Sequence, residues 1–491
     1  MDSFSLSLEE NQSFYLKKPF LNKIYNYYSN NGYYNIISKQ LVYILSNTFI
    51  LIYSLFLIKC INWNYLISMK DKTDLSEIIT WSNLFQLNFY NWILVLIFIF
   101  YIICKIISLI YDIVRYKYIK EFYNKTLTIK DSEIATLKWE NIIEKFKEIY
   151  NNEDIDVFYI NNKITAKDNY LITLFNKDII KIRYLTQLME WNIMYCFINP
   201  IFDKDFKYNS DFLITDKQFI KNVKDKTRVV AYMNFIFMPL LLPFMIFKIL
   251  FSYGEKFYNK PELIFSRHWT LKAKWIFRNY NELYHEFHDK LLESMKPANE
   301  YSNQITIRII ETFSNLLVLI LSSFFIVLVL ISVINDKVLL NLYISTNKNV
   351  LWYLGILATF IAIFKNIIKE KIILYPDKKL KEIKDIINSI DNKKIKDKND
   401  DQFFFKMYQY HIITIFKDII YTLYVPFELF KLSYDVENIV TYMSDITINN
   451  AKYGHSNKFS LFLRENDFKT ELSKETFAKN NINYFTGFRN S

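Results

Sequence analysis

The sequence has few of the residues that build cross-linked or low-complexity proteins. Its 491 residues include three cysteines, five glycines and eight prolines. Three scattered cysteines exclude a disulfide scaffold and a four-cysteine zinc cluster, and the low glycine and proline content excludes collagen-like or linker-like sequence. The hydrophobic fraction of 52% excludes a disordered chain, because disorder requires low hydrophobicity. Composition therefore indicates a folded protein, with a net charge of +11.

The motifs of nucleotide-binding and hydrolytic enzymes are also missing. The sequence contains no Walker-type loop, no G-x-G-x-x-G, no H-E-x-x-H and no G-x-S-x-G. His285 and His288 are three residues apart, so they could begin a metal site or could be polar positions on an amphipathic helix. A third ligand at suitable spacing is not evident. We therefore predict no metal, no cofactor, no nucleic-acid partner and no enzyme activity.

Four long runs without charged residues are the strongest signal, at 41–58, 78–104, 312–335 and 349–364. An 18-residue helix rises about 27 Å, which is enough to cross the hydrocarbon core of a membrane. One such run could be a buried helix of a large soluble protein, but four together are typical of a polytopic membrane protein. The first run follows charged residues of both signs, which is unlike a secretory signal peptide.

Two further apolar runs contain proline. Pro239 and Pro243 lie within 229–247, and Pro426 lies within 412–432. If the first run spanned the membrane, the ten Lys and Arg residues between 248 and 311 would be lumenal, whereas the loops at 59–77 and 336–348 carry three and two. Because Lys and Arg concentrate on the cytosolic side, we predict two re-entrant helices bent at these prolines and both termini in the cytosol.

The segments between these runs are expected to form a helical cytosolic domain. Apolar positions at helical spacing predict helices at 139–150 and at 271–292, the second ending near Pro297. The Lys- and Asp-rich stretch 377–401 is either a solvated loop or a segment attracted to anionic lipid. The predicted order is a cytosolic N-terminal segment (1–40), transmembrane helices 1 and 2 with a lumenal loop (41–114), a cytosolic helical domain (115–228), a re-entrant helix (229–252), a cytosolic amphipathic region (253–311), transmembrane helices 3 and 4 (312–368), a cytosolic segment (369–411), a second re-entrant helix (412–432) and a cytosolic C-terminal region (433–491).

The most distinctive segment of the chain begins after the first proline run. Its signature residues are Arg267, Trp269, Arg278, Asn281, Glu282, Leu283 and His285. Further motifs lie at 27–32, 167–179, 190–192, 232–239, 351–355 and 408–410. Together, from about Tyr25 to about Phe462, these motifs resemble the autophagy-related protein 9 family.

That resemblance implies an all-α polytopic membrane protein with four transmembrane helices, two re-entrant helices and a helical cytosolic domain, assembled as a domain-swapped homotrimer. It implies passive, ATP-independent scrambling of phospholipids between the leaflets of autophagy vesicles, which supports growth of the autophagosome membrane. The implied sites are cytoplasmic vesicles, Golgi-derived and endosomal membranes and the site of autophagosome formation. The implied partners are phospholipids and a bridge-like lipid-transfer protein. The long disordered tails typical of many members are not expected here.

Polar residues at or inside the apolar runs are the candidates for a lipid path, namely Glu255, Lys256, Thr359 and Lys365. A headgroup cannot enter hydrocarbon without a large cost in solvation free energy, so a scramblase must provide a polar track at membrane depth. Alternatively, the lysines extend to the membrane surface, and Thr359 bonds to a carbonyl one turn back. Two other functions remain open, a channel or solute transporter and a structural vesicle scaffold.

Overall fold

Helices dominate the computed structural model, which describes residues 18–68, 78–84, 89–150, 155–203, 206–259, 266–305, 308–334, 340, 342–345, 348–367, 376–387, 400–450 and 452–461. The predicted helical fold class is therefore confirmed. The strands are only two to four residues long and pair into antiparallel two-stranded ribbons, β1 with β4, β2 with β3 and β5 with β6.

The helices are α1 (Lys18–Ser29), α2 (Tyr33–Leu55), α3 (Trp63–Ser68), α4 (Phe89–Glu121), α5 (Asp131–Ile134), α6 (Trp139–Tyr150), α7 (Val157–Asn176), α8 (Gln187–Ile193), α9 (Ser210–Leu213), α10 (Lys217–Asn259), α11 (Leu271–Phe277), α12 (Tyr284–Ile305), α13 (Arg308–Ile334), α14 (Val350–Ile367), α15 (Pro376–Ile387), α16 (Asp400–Met407), α17 (His411–Leu432), α18 (Val436–Asp445) and α19 (Lys458–Leu461). The strands are β1 (Arg267–Trp269), β2 (Tyr343–Ser345), β3 (Lys348–Asn349), β4 (Tyr408–Tyr410), β5 (Thr447–Asn450) and β6 (Gly454–Asn457). Single π-helical turns extend α2, α4 and α8, at Phe56–Cys60, Phe122–Thr126 and Met194–Ile198.

Among the described residues, three helical segments are long and apolar enough to cross a membrane, Tyr33–Cys60, Val95–Thr126 and Thr312–Ile334. They contain the first and third predicted runs almost unchanged. Their large apolar side chains are exposed in the isolated chain, with Ile334 85% accessible. Water would disfavour such surfaces, whereas hydrocarbon accepts them. The chain is therefore an integral membrane protein.

The second charge-free run, 78–104, is helical only from Phe89 onward. Residues 78–84 form a β-bridge between Ile79 and Ile61 followed by a short 3₁₀ turn, and helix α4 begins only at Phe89. Polar residues without charge, such as Thr80 and Asn83, explain the difference, because a charge-free run need not be apolar. The helix then continues beyond the run to Glu121, and so enters the stretch 114–127 that the sequence predicts as the outward continuation of this span.

The fourth predicted span is shorter than the others. The apolar part of α14, Val350–Lys365, falls below the usual length of a membrane helix, and α14 packs along α13. The structure thus provides three full-length candidates, a shorter fourth helix and the bent helix α10. The predicted total of four spans stays a prediction.

Helices α10 and α17, which contain the two proline-interrupted apolar runs, pack against each other. Helix α10 bends by 65° between its parts Lys217–Pro239 and Leu241–Phe247, as expected where proline removes a backbone donor. Helix α17 instead continues through Pro426 to its end without a break. Edge-to-face ring contacts join the two helices, Tyr232 with Phe430 at 6.1 Å and Phe235 with Phe427 at 6.2 Å between centroids.

The remaining helices form what we call the head domain, which comprises α1, the end of α4, α5–α9, α11, α12, α15, α16, α18 and α19. One buried cluster joins α1, α4 and α6, and includes Tyr27, Tyr123 and Phe146. A larger cluster surrounds α7 and α8 and includes Phe175 and Phe197. The predicted helix at 139–150 is present as α6. The stretch 388–399 of the Lys-rich region and residues 462–491 lie outside the described residues.

The predicted single helix at 271–292 is wrong. The chain forms α11, leaves the helical conformation at residues 278–283, and resumes as α12. Asn281 there has a left-handed φ of 58°, which a helix cannot contain. Pro297 does not end α12 either, since the helix runs on to Ile305. Buried Ala298 and Tyr301 hold that last part of α12 against the larger core.

Candidate functional site

The non-helical segment 278–283, which we call the signature turn, is fastened to α7 by a reciprocal pair of asparagines. The backbone N–H of Asn281 donates to Asn169 Oδ1 at 3.0 Å, and Asn169 Nδ2 donates back to Asn281 Oδ1 at 2.9 Å. Both side chains are buried. Asn281 Nδ2 donates to the carbonyl of Ser460 at 2.7 Å. Buried amides of this kind favour a single conformation of the turn, because the loss of any one hydrogen bond leaves a buried polar group without a partner.

Two ion pairs hold the ends of the signature turn. The guanidinium of Arg278 lies 2.9 Å from Asp168 Oδ2 and also donates to the carbonyl of Glu282 at 3.0 Å. Glu282 Oε1 lies 2.7 Å from Lys290 Nζ on α12, and Glu282 Oε2 accepts from the backbone of Asn279. The pairs bridge α7, the turn and α12. Removing one partner would leave a buried charge uncompensated, which is the costly case for such pairs.

The receiving surface is a polar stripe down α7, formed by Asn161, Thr165, Asn169 and Thr173 at intervals of four residues. All four are buried. Asn169 and Thr173 also accept from Asn457 Nδ2, through a carbonyl at 3.3 Å and a hydroxyl at 2.9 Å. Sequence reasoning missed the stripe, although its spacing of four is visible because residues i and i+4 share a helix face.

His285 connects the signature turn to α1. The hydroxyl of Tyr25 lies 3.0 Å from His285 Nδ1 and accepts from the backbone N–H of His285 at 3.2 Å. Burial raises the pKa of Tyr25 to about 12, so its hydroxyl keeps its proton and can donate to the ring. His288 instead stacks on Tyr284. The two histidines therefore have separate structural partners.

A polar cavity of about 270 Å³ lies beside this contact, lined by Asn22, Tyr25, Asn26, Ile164, Thr165, Asp168, Arg278, Leu283 and Tyr284. Its charged groups, Asp168 and Arg278, are already paired with each other. The cavity lies within the head domain rather than among the membrane helices. It is therefore no part of a lipid path.

The first two signature residues, Arg267 and Trp269, lie on the β1–β4 ribbon. Trp269 is buried between aromatic rings and donates from Nε1 to Ser294 Oγ at 2.9 Å. Arg267 donates to the hydroxyl of Tyr410 at 2.9 Å and its guanidinium lies 4.3 Å from the centroid of that ring. Because β1 follows α10 and β4 precedes α17, the ribbon holds one end of α10 beside one end of α17.

A histidine pair adds to this ribbon. His411 Nδ1 lies 3.0 Å from His268 Nδ1, and Thr414 Oγ1 lies 3.2 Å from His268 Nε2. Burial, together with the neighbouring His411 and Lys274, lowers the pKa of His268 to about 4. The His268 ring is therefore neutral near pH 7 and serves as a hydrogen-bonding group.

A protein-family model described as "Autophagy protein ATG9" matches residues 18–463. The chain belongs to this autophagy family. It is 27% identical to Autophagy-related protein 9 of Eremothecium gossypii over 472 residues, which cover 90% of this chain and 52% of that protein. It is 26% identical to the Schizosaccharomyces pombe protein over 479 residues, which cover 90% of this chain and 67% of that one.

The solved structures agree with this assignment. The cryo-EM structure of Schizosaccharomyces pombe Atg9 matches with a TM-score of 0.68 at 25% identity, over 91% of this chain and 98% of that chain. The chain spans about half the length of several curated relatives that it matches. The ATG9 resemblance inferred from the sequence is confirmed, and it covers the helical core described above.

The structure separates the lipid-path candidates onto different helix pairs. Thr359 is exposed on α14 and donates to the carbonyl of Gly355 at 2.8 Å, as the alternative interpretation expected. Lys365 is exposed in the last turn of α14. Glu255 and Lys256 lie near the end of α10, and their side chains fall outside the described part of the chain. Helix α14 packs on α13, whereas α10 packs on α17.

The seven residues selected as a signature from the sequence lie in the head domain and at its junction with the membrane helices. Trp269, Arg278, Asn281 and Leu283 are buried, and the other three are half-buried. Their contacts reach α7, α12, α19 and strand β4. We interpret the signature as a structural element that fixes the position of α10 relative to α17 through the β1–β4 ribbon.

Proposed function

We propose that this chain is a passive phospholipid scramblase of autophagy membranes. The observation that carries the proposal is the bent, apolar helix α10, which packs along the polar-interrupted helix α17 and is fixed to it by the ribbon. A bend at proline frees backbone carbonyls inside an apolar segment, and such groups are tolerated only where protein or water satisfies them. A wet groove at the bend of α10 is what a lipid headgroup needs in order to cross.

The polar residues of α17 support the same interpretation. Lys417 and Asp418 interrupt its apolar sequence, and Lys417 Nζ donates to Gln409 Oε1 at 2.7 Å. Thr422 donates to the carbonyl of Asp418 and lies 3.6 Å from Met245 Sδ on the far side of the α10 bend. Polar groups at membrane depth generally mark pathways. No nucleotide or nucleophile is required for downhill lipid movement.

The proposed assembly is a homotrimer, domain-swapped as the family resemblance implies, with its termini in the cytosol. Helix α17 carries an exposed apolar stripe suited to subunit contacts, formed by Ile413, Phe416, Ile420, Tyr424 and Phe427. Such a stripe stays exposed in a monomer unless lipid or another copy covers it. The proposed locations are cytoplasmic vesicles, Golgi-derived and endosomal membranes and the autophagosome formation site, where a bridge-like lipid-transfer protein would supply lipid.

The test is reconstitution of purified protein into phosphatidylcholine vesicles that contain a trace of fluorescent lipid. A membrane-impermeant quencher removes only the outer-leaflet signal, about half of the total, from protein-free vesicles. Scrambling should allow almost complete quenching. Quenching that stops at half would reject the scramblase and favour a structural scaffold. Ion flux in the same vesicles, without lipid exchange, would favour a channel.

A further inference from the structure

Trp191 is exposed although Glu190 before it is half-buried and Asn192 after it is buried. Glu190 accepts from Trp275 Nε1 at 2.9 Å, and Asn192 is fully buried and accepts from Asn234 at 3.3 Å. Trp191 between them is 59% exposed. This inverts the usual rule, because the large aromatic side chain is the one expected inside. The hydrogen bonds of Glu190 and Asn192 therefore fix the backbone of this motif, while the side chain of Trp191 stays exposed.

The ring of Trp191 does not stand alone. It stacks on Tyr195 with centroids 5.3 Å apart and planes 2° apart. Lys226 of α10 covers the Tyr195 ring, with Nζ 3.9 Å from the centroid and 2.9 Å from the Tyr195 carbonyl oxygen. A lysine ammonium has three donors, and within the described part of the chain Lys226 uses one of them for this carbonyl. We call Trp191, Tyr195 and Lys226 the aromatic platform.

The aromatic platform lies where α10 changes from charged to apolar. Residues 217–228 carry five basic side chains and one acid, Asp225, for a net charge of +4. From Val229 to Phe247 the helix has no charge. Arg228, the last cation, lies 5.8 Å from the Tyr434 ring, and its Nε has no hydrogen-bond partner among the described residues. Below it, Val229, Met233 and Ile236 are exposed along one face.

We propose that the aromatic platform and Arg228 form a binding site for phospholipid headgroups of the leaflet nearest the head domain. Tryptophan and tyrosine prefer the membrane interface, since their rings are apolar and their edges polar. Lys226 and Arg228 flank the start of the exposed apolar face and bind the lipid phosphate, while the acyl chains lie along that face. The net charge of +4 favours anionic over zwitterionic lipid.

This inference rests on the proposed function for the direction in which the lipid then moves, but binding is measurable without scrambling. A benzoylphenylalanine in place of Trp191 should, on irradiation in vesicles of phosphatidylcholine and phosphatidylserine, gain the mass of a phospholipid. The control replaces Ile214, which is 73% exposed in the loop before α10, and should gain none. An adduct to a second copy of the chain, or no adduct at position 191, would overturn the site.

The charges are tested by a pair of double variants on the same helix. K226Q together with R228Q should weaken binding of short-chain phosphatidylserine to the detergent-purified protein about thirtyfold, the effect of two cations near a lipid surface. K217Q with K221Q makes the same change in net charge two turns away, and should weaken it less than about threefold. Equal losses in both variants would mean diffuse attraction and no site. If lipid adducts form but no scrambling is measured, the aromatic platform is supported as a lipid-binding site and the proposed scramblase activity is rejected.

Discussion

Replacement of Asn281 by alanine should destabilise the head domain strongly. The change removes the donor to the Ser460 carbonyl and the acceptor for Asn169 Nδ2. Each stranded buried group costs about 1–3 kcal/mol. Alanine also tolerates the left-handed backbone at 281 less well than asparagine, by about 1 kcal/mol. The expected total is about 4 kcal/mol.

The assay is the temperature at which half of the detergent-purified protein loses its sharp gel-filtration peak. For a domain of this size about 4 kcal/mol corresponds to a fall of about 10 °C. N281G is the matched control, because glycine accepts a positive φ. N281G loses the same hydrogen bonds as N281A, but its melting temperature should fall by about 3 °C less. The difference between the two variants is the contribution of the backbone conformation.

A second readout tests the geometry itself. The Asn281 side chain holds the carbonyl of Ser460, so its loss should free helix α19 and speed tryptic cleavage after Lys458. A wild-type melting temperature in N281A, with unchanged cleavage at Lys458, would show that the network contributes nothing to stability. The reasoning about the signature turn would then be wrong.

The other predictions concern topology, assembly, the lipid path and pH. A cysteine replacing exposed Tyr65 in α3 should resist a membrane-impermeant thiol reagent added from the cytosol, whereas one replacing exposed Leu292 in α12 should react; protection at 292 would place α12 in the lumen and reject the predicted orientation. Light scattering in mild detergent should give about three chains per particle after subtraction of the detergent, and a clean monomer would count against the trimer. The double variant T359L/K365L should slow scrambling several-fold while leaving the trimer intact, and an unchanged rate would assign both residues to anchoring. Since the pKa of His268 falls from its ordinary 6.5 to about 4 on folding, stability is full above pH 6.5 and declines by up to about 3 kcal/mol as pH falls towards 4; thermal melts of H268N should lose most of this slope.

The sequence by itself determined two of the membrane helices and the family. Uninterrupted apolar runs of sufficient length can only be buried or placed in lipid, so α2 and α13 were readable without tertiary information. The helical periodicity of α6 was equally local. The bend of α10 followed from the chemistry of Pro239, because a missing backbone donor acts at its own position.

Only the tertiary structure decided which residues the signature contacts and where its helix breaks. Residues 271–292 have good helical spacing, yet the helix breaks at Asn281, because the hydrogen bonds that Asn281 donates to Asn169 Oδ1 and to the Ser460 carbonyl outweigh the local preference. Ribbon β1–β4 pairs residues about 140 positions apart, which no local pattern encodes. No local pattern encodes the exposure of Trp191 either, because it depends on how α10 and α17 pack around this residue. Local propensity sets where a helix can form, whereas long-range polar contacts decide where it must stop.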